Sequence, residues 1–243
     1  MNKDIGIVLI HGAGLGGWIW GETGKHLETD YLAVNFPERE NSAVSKSLSL
    51  KAYFDHISEQ IAGWNKPRLV FAAHSIGGVP ALMLANELGE RVSGFIGVSS
   101  SIPVNGGSFL STLPVPKRLL FSAILRIAGT KPPESAITGS LCSDLPESLA
   151  KQVAESFVEE SVRLYFDRCN APIPDLPTLY IKCAGDKEFS DSMQNRMVQS
   201  LGANEVVSLD SGHMPMLSKP KELADLINRF TESLTLENKT VTM

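Results

Sequence analysis

The chain has 243 residues, 43% of them hydrophobic, and its 27 acidic and 22 basic side chains leave a net charge of −5. One large domain, or one core carrying an insertion, fits that length and can bury about 70–75% of the unfolded surface. The mildly acidic balance supplies no field for phosphate backbones or anionic lipid, and no apolar run approaches the roughly 18 residues of a membrane span, so neither nucleic acid nor membrane is an expected partner.

Met1-Asn2-Lys3-Asp4 runs straight into a β-branched stretch with no long apolar leader or cleavage site, so a cytoplasmic setting is expected. Cys142, Cys169 and Cys183 are odd in number and widely spaced, which argues against both a disulfide framework and a zinc site. In chain order, strands are predicted at 5–10, 31–36, 68–73, 92–98, 178–184 and 204–209, with helices at 48–64, 76–89, 188–201 and 217–233. Strands separated by helix-length crossovers mean an α/β fold, a mostly parallel sheet with helices on both faces. Ligands of such sheets sit at the carboxyl ends of the strands, so the loops there carry the search.

Residues 102–177 interrupt the rhythm, holding nine of the fourteen prolines, two helical patterns near 117–128 and 146–168, and no predicted strand. So long a strandless stretch exceeds ordinary connections. The expected organisation is therefore a core of residues 1–101 and 178–243, with 102–177 inserted as a mainly helical cap over the strand ends. The polar residues from Leu234 to Met243 read as a frayed end.

The loop after the first strand reads His11-Gly12-Ala13-Gly14-Leu15-Gly16-Gly17-Trp18. Gly12, Gly14 and Gly17 satisfy the G-x-G-x-x-G dinucleotide fingerprint. That reading also needs an acid at the end of the second strand for the ribose hydroxyls, and Asn35 stands there. Arg39 as a phosphate partner, and Trp18 and Trp20 after the glycines, fit it poorly. The competing reading is a His-Gly-x-Gly loop whose Ala13 N–H faces a developing oxyanion.

The third strand runs into Ala73-His74-Ser75-Ile76-Gly77-Gly78 and then a helix. A strand–serine–helix turn exposes the hydroxyl at the top of a sheet and tolerates only small residues two before and two after the serine. Ala73 departs from the usual glycine by one methyl. Serine needs a base, and the base an orienting acid. Of five histidines, His26 and His56 fall in surface segments, and His11 and His74 flank the loops as structural residues. His213, just past the last strand, reaches the sheet's edge. No carboxylate follows the fourth strand through Ser108, whereas the fifth is followed by Gly185-Asp186-Lys187. Asp186 is the expected acid, with Glu188 behind it, and the order Ser75, Asp186, His213 is that of α/β-hydrolases.

These motifs, with Ala184-Gly185-Asp186-Lys187 and Gly212-His213-Met214-Pro215-Met216-Leu217, make the chain resemble the α/β-hydrolase branch that holds plant methyl-ester esterases (salicylic-acid-binding and methyl jasmonate types) and hydroxynitrile lyases. The resemblance spans nearly the whole chain and is weakest over the cap, which is shorter here. It implies an α/β-hydrolase fold. The branch's lyases carry a lysine after the base histidine and a threonine in the first loop, and these positions look like Met214 and Gly12. The expectation is a carboxylesterase cleaving small esters through an acyl-serine on Ser75, His213 and Asp186. Ala13 and Ile76 N–H groups would form the oxyanion hole, and Gly12, Ala13 and Ile76 would contact substrate. No cofactor or metal is expected. Hydroxynitrile cleavage, lactone hydrolysis or non-catalytic binding of a small molecule remain the alternatives. Phe109, Leu110, Phe121 and Phe166 suit a pocket wall or ordinary packing and receive no site assignment.

Overall fold

The computed structural model describes residues 4–37 and 47–240, with side chains through Thr235, and Arg39 lies outside them. Six strands, β1 (Ile5–Ile10), β2 (Tyr31–Val34), β3 (Arg68–His74), β4 (Val92–Val98), β5 (Thr178–Cys183) and β6 (Glu205–Leu209), form one parallel sheet in the order β2-β1-β3-β4-β5-β6. Parallel strands covered on both faces need apolar side chains throughout, and every residue of β1 is buried. Alternate residues serve opposite faces. Val8, Ile10, Phe71 and Ala73 pack with Tyr53 and Ile57 of the helix Leu50–Ala62 and Leu82 of the helix Gly78–Leu88. Ile5, Ile7, Leu9, Val70 and Ala72 pack on the other side with Leu223, Ile227 and Phe230 of the C-terminal helix.

The strand order grows in one direction from β1 to β2 and in the other from β1 to β3, and such a switch point opens a crevice at the strand ends. The loops after β1 and β3 flank it. β2 ends two residues earlier than the sequence predicts. The N–H of Asn35 goes to Gln60 Oε1 at 2.9 Å and that of Phe36 to His11 Nε2 at 3.0 Å, so neither continues the ladder.

Residues 102–177 add no strand to the sheet; an isolated antiparallel bridge pairs Gly107 with Cys169. The helix Val115–Ile127 is close to expectation. The pattern over 146–168 is not one helix but two, Glu147–Glu155 and Val162–Phe166. The residues between are drawn toward β1: the ring of Phe157 covers Gly14, Val158 N–H donates to Gly14 O at 2.9 Å, and Glu160 is buried. Ser161 then caps the second helix by accepting the N–H of Arg163 at 3.3 Å. The C-terminal helix also differs, running Pro220–Thr240 rather than fraying from Leu234. Leu234 is buried against Gly94 of β4, where any Cβ would lie 2.7 Å from its Cδ1, and this contact carries the helix past the expected end.

A closer backbone approach occurs where the turn after β3 meets the loop after β1. A Cβ on Gly77 would lie 2.5 Å from the carbonyl oxygen of His11. Backbone cannot swing aside as a side-chain tip can, so Gly77→Ala is expected to destabilise by at least about 2 kcal/mol, and Gly77→Val by more. A thermal melt checks this, and an unchanged midpoint for Gly77→Ala would mean that the turn relaxes freely.

Candidate active site

β3 delivers His74 in extended conformation, and the chain then turns through Ser75 at φ +53° into the helix that begins at Gly78. A left-handed serine stores about 1–3 kcal/mol of strain, tolerated where surroundings over-determine it. Here the Ser75 carbonyl accepts the N–H of Ser101 at 2.8 Å and the hydroxyl of Ser100 at 3.2 Å. The turn aims Ser75 Oγ at His213 Nε2, 3.0 Å away, and His213 Nδ1 lies 2.7 Å from Asp186 Oδ2. The second carboxylate oxygen of Asp186 accepts the N–H groups of Glu188 and Phe189 at 2.7 and 2.9 Å. All three residues predicted for this line are therefore brought together. Glu188 is not part of it; its Oε1 accepts the Ser140 hydroxyl instead.

The electrostatics follow from burial and charge. Burial alone would raise Asp186, but the His213 imidazole and the hydrogen bonds from His213, Ser99 and Phe189 outweigh it and hold the carboxyl at about 2. Burial would lower His213, and the Asp186 charge and hydrogen bond carry it above its ordinary 6.5. Buried His74 lacks such a partner, and desolvation with the neighbouring His213 pushes it down to about 3. Neutral His74 sets its Nε2 2.8 Å from the His213 carbonyl oxygen, so its N–H there ties the end of β3 to the base loop. His11 works alike: its Nε2 accepts the Phe36 N–H, which leaves Nδ1 to donate to Gly12 O at 2.7 Å. Both are structural, as the sequence implies.

Ala13 and Ile76 lie beside Ser75 in one cavity, and neither N–H has an acceptor among the described residues. Gly12 lines the same space, and a Cβ on it would come within 2.9 Å of Ser75 Cβ. The cavity measures about 410 Å³, with Phe109, Phe121, Leu125, Phe157, Tyr165 and Phe189 in its wall. Phe109 and Phe121 thus belong to the pocket. Leu110 is core, and Phe166 lies under the Arg126 guanidinium at 4.5 Å. Met214 is buried, its sulfur 3.9 Å from Cys142 Sγ.

Several contributors are not legible in the motifs. Ser99, itself at φ +38°, donates to Asp186 Oδ2 at 2.5 Å. Glu160 accepts the N–H of Gly14 at 2.8 Å and the hydroxyl of Tyr53 at 2.9 Å. Asn35 accepts the N–H of Gly17 at 2.8 Å. These last two contacts also dispose of the dinucleotide reading, because the amides that would meet a pyrophosphate are already paired and a carboxylate stands among them. A run of polar residues after a strand was the one available signal for Ser99.

A parallel sheet with a serine turn at its switch point and an acid and a histidine after later strands is the arrangement of an α/β hydrolase. The chain belongs to the alpha/beta hydrolase family, whose model matches residues 7–226. Methylesterase 9 of Arabidopsis thaliana is 25% identical to it over 249 positions, covering 93% of this chain and 97% of that protein. Norfluorocurarine synthase 2 of Strychnos nux-vomica is 26% identical, with 93% and 95% covered. Among solved structures, an extracellular α/β-hydrolase from a Paenibacillus species superposes with a TM-score of 0.83 at 15% identity, over 93% of this chain and 98% of that one. A pyrethroid hydrolase gives 0.79 at 23%, over 94% and 98%. The resemblance to plant methyl-ester esterases therefore holds.

In the Ser75→Ala protein, imidazole NMR should find His213 titrating above 6.5, and adding Asp186→Asn should bring the midpoint below it, because burial then acts unopposed. The raised value means that the pair's contribution to stability is full below pH 6.5 and is lost as pH rises through the folded pKa. An unmoved midpoint would show that Asp186 does not set the charge of the base.

Proposed function

We propose that this chain is a serine-dependent carboxylesterase for small, apolar carboxylic esters, with residues 102–177 acting as a cap over the site. The observation that carries the reading is the hydrogen-bonded line Ser75–His213–Asp186 opening into an aromatic-walled cavity. The methylesterase relatives support it, and make methyl esters the first substrates to try.

Ser75 Oγ attacks the ester carbonyl while His213 Nε2 removes its proton. Asp186 holds Nδ1–H, fixes the tautomer and stabilises the imidazolium that forms. The carbonyl oxygen, now an oxyanion, takes the free N–H groups of Ala13 and Ile76, each worth about 3–4 kcal/mol where such donors are pre-set. His213 returns the proton to the leaving alkoxide, and the alcohol departs. Water then attacks the acyl-serine with His213 again as base, releasing the acid and restoring Ser75. Esterase is preferred over hydroxynitrile cleavage because the residue after the base, Met214, is apolar and buried in the core, with no charge to hold a departing cyanide.

Methyl aryl esters and short p-nitrophenyl esters are the test. Ser75→Ala should lose at least about 10³-fold in kcat without a change in melting temperature. For the wild type, kcat/KM should rise with pH through a midpoint above 6.5, since only neutral His213 accepts the proton. Hydrolysis retained in Ser75→Ala, or a folded wild type inert to all of these esters, would overturn the proposal.

A further inference from the structure

The helix Val115–Ile127 carries apolar side chains on two sides, with Arg118, Ser122 and Arg126 in a polar strip between them, although an apolar stripe on one side is enough to pack a surface helix. Phe121 and Leu125 turn inward to the cavity. On the other side Val115, Leu119, Leu120 and Ile127 stand in the open, with Leu119 and Leu120 each 65% exposed and Ile127 86%. Pro132, Pro133 and Ala136 extend this exposed surface beyond the helix.

Two further observations say what covers it. The first is charge. From Val92 to Pro133 there is no acidic residue, while Lys117, Arg118, Arg126 and Lys131 are basic, in a chain whose net charge is −5. Lys117 is anchored on the Glu188 carbonyl and Arg126 on the ring of Phe166, so both cations are held at the margin of the face. Of nearby acids, Glu188 is turned to the Ser140 hydroxyl, Glu159 lies against Gly129, where a Cβ would come within 2.7 Å of its Oε1, and Glu134 follows only after the two prolines. The second is access. The exposed residues that line the cavity are Ile124, Ala128, Lys131, Pro132, Pro133 and Ala136, so its mouth opens through this same surface. A permanent second copy seated here would set basic residues against basic residues and cover the mouth.

We propose that this face docks on an anionic lipid surface, so that apolar esters pass from the lipid into the cavity without crossing water. An apolar helix face bordered by lysine and arginine is the usual chemistry of such contact. A surface contact needs no spanning segment, and none is present: among the described residues no helix is long and apolar enough to cross a membrane. The sequence expectation of no membrane partner rested on that criterion and on the mildly acidic net balance, from which this stretch departs locally, with four basic and no acidic residues between Val92 and Pro133. The delivery of substrate rests on the esterase reading, whereas docking itself does not.

The test is co-sedimentation of the Ser75→Ala protein with vesicles of phosphatidylcholine alone or mixed equally with phosphatidylglycerol. Binding should favour the anionic vesicles and weaken as salt rises from about 0.01 to about 0.15 M. Leu120→Glu or Ile127→Glu should reduce partitioning at least about tenfold, the factor for withdrawing one such side chain from an apolar phase. Neither residue lines the cavity, so with Ser75 intact these variants should hydrolyse a water-soluble p-nitrophenyl ester at the wild-type rate. A protein left in the supernatant at low salt overturns the proposal, as does a dimer, seen by analytical ultracentrifugation, that Leu120→Glu splits. Vesicle binding by a chain inert to every ester upholds the docking and overturns only the esterase reading.

Discussion

Two stretches of backbone meet with nothing between them where Gly77 faces the His11 carbonyl, and the carboxyl edge of the sheet is organised by that contact. Because the turn must pass so close to β1, it cannot relax outward, and Ser75 is held in the left-handed region. The hydroxyl then projects from the sheet rather than along it. The same approach sets the loop after β1 against the turn after β3, so that Ala13 and Ile76 share one cavity with Ser75. Strain at one residue is thus offset by hydrogen bonds to its own carbonyl from the loop after β4.

Charge is arranged with equal economy. His74 and His213 are both buried and lie with ring centroids 4.8 Å apart, yet their protonation is driven in opposite directions. What separates them is a carboxylate, present at one ring and absent from the other. Only His213 is therefore carried above its ordinary value, and His74, held neutral, serves as a fixed hydrogen-bond donor. A pair of equally basic rings at this distance would repel when charged, and the asymmetry removes that conflict.

The strands were readable because each is a short buried run whose composition reports its own surroundings, and Ser75, Asp186 and His213 were readable because a parallel sheet confines chemistry to its strand ends. Ser75 also carried a local steric signature in Ala73 and Gly77. What escaped depends on distant partners. Glu160 sits 146 positions from Gly14, and no local pattern marks it as a buried acceptor for that amide. The same pairing explains why the helical periodicity over 146–168 misled: the pull of Gly14 on residues 157–160 prevails over their helical preference. Asn35 reads in sequence as a missing carboxylate, whereas its side chain serves the loop by accepting from Gly17. The end of the last helix was misplaced because the bare surface of Gly94 that accommodates Leu234 lies on another element.

The grip on Gly14 bears on how such a protein can diversify. Its N–H is held by Glu160 and its carbonyl by Val158, both from the stretch between β4 and β5 that also walls the cavity. That stretch is therefore not a detachable cassette. Exchanging it for one of another shape would bring a new pocket and, in the same event, remove the clamp from the glycine loop beneath. A lineage that changes this region wholesale must reinvent an acceptor for one amide before it gains anything from the new walls. Substitutions confined to the wall residues, with Val158 and Glu160 left in place, avoid that penalty and are the easier route.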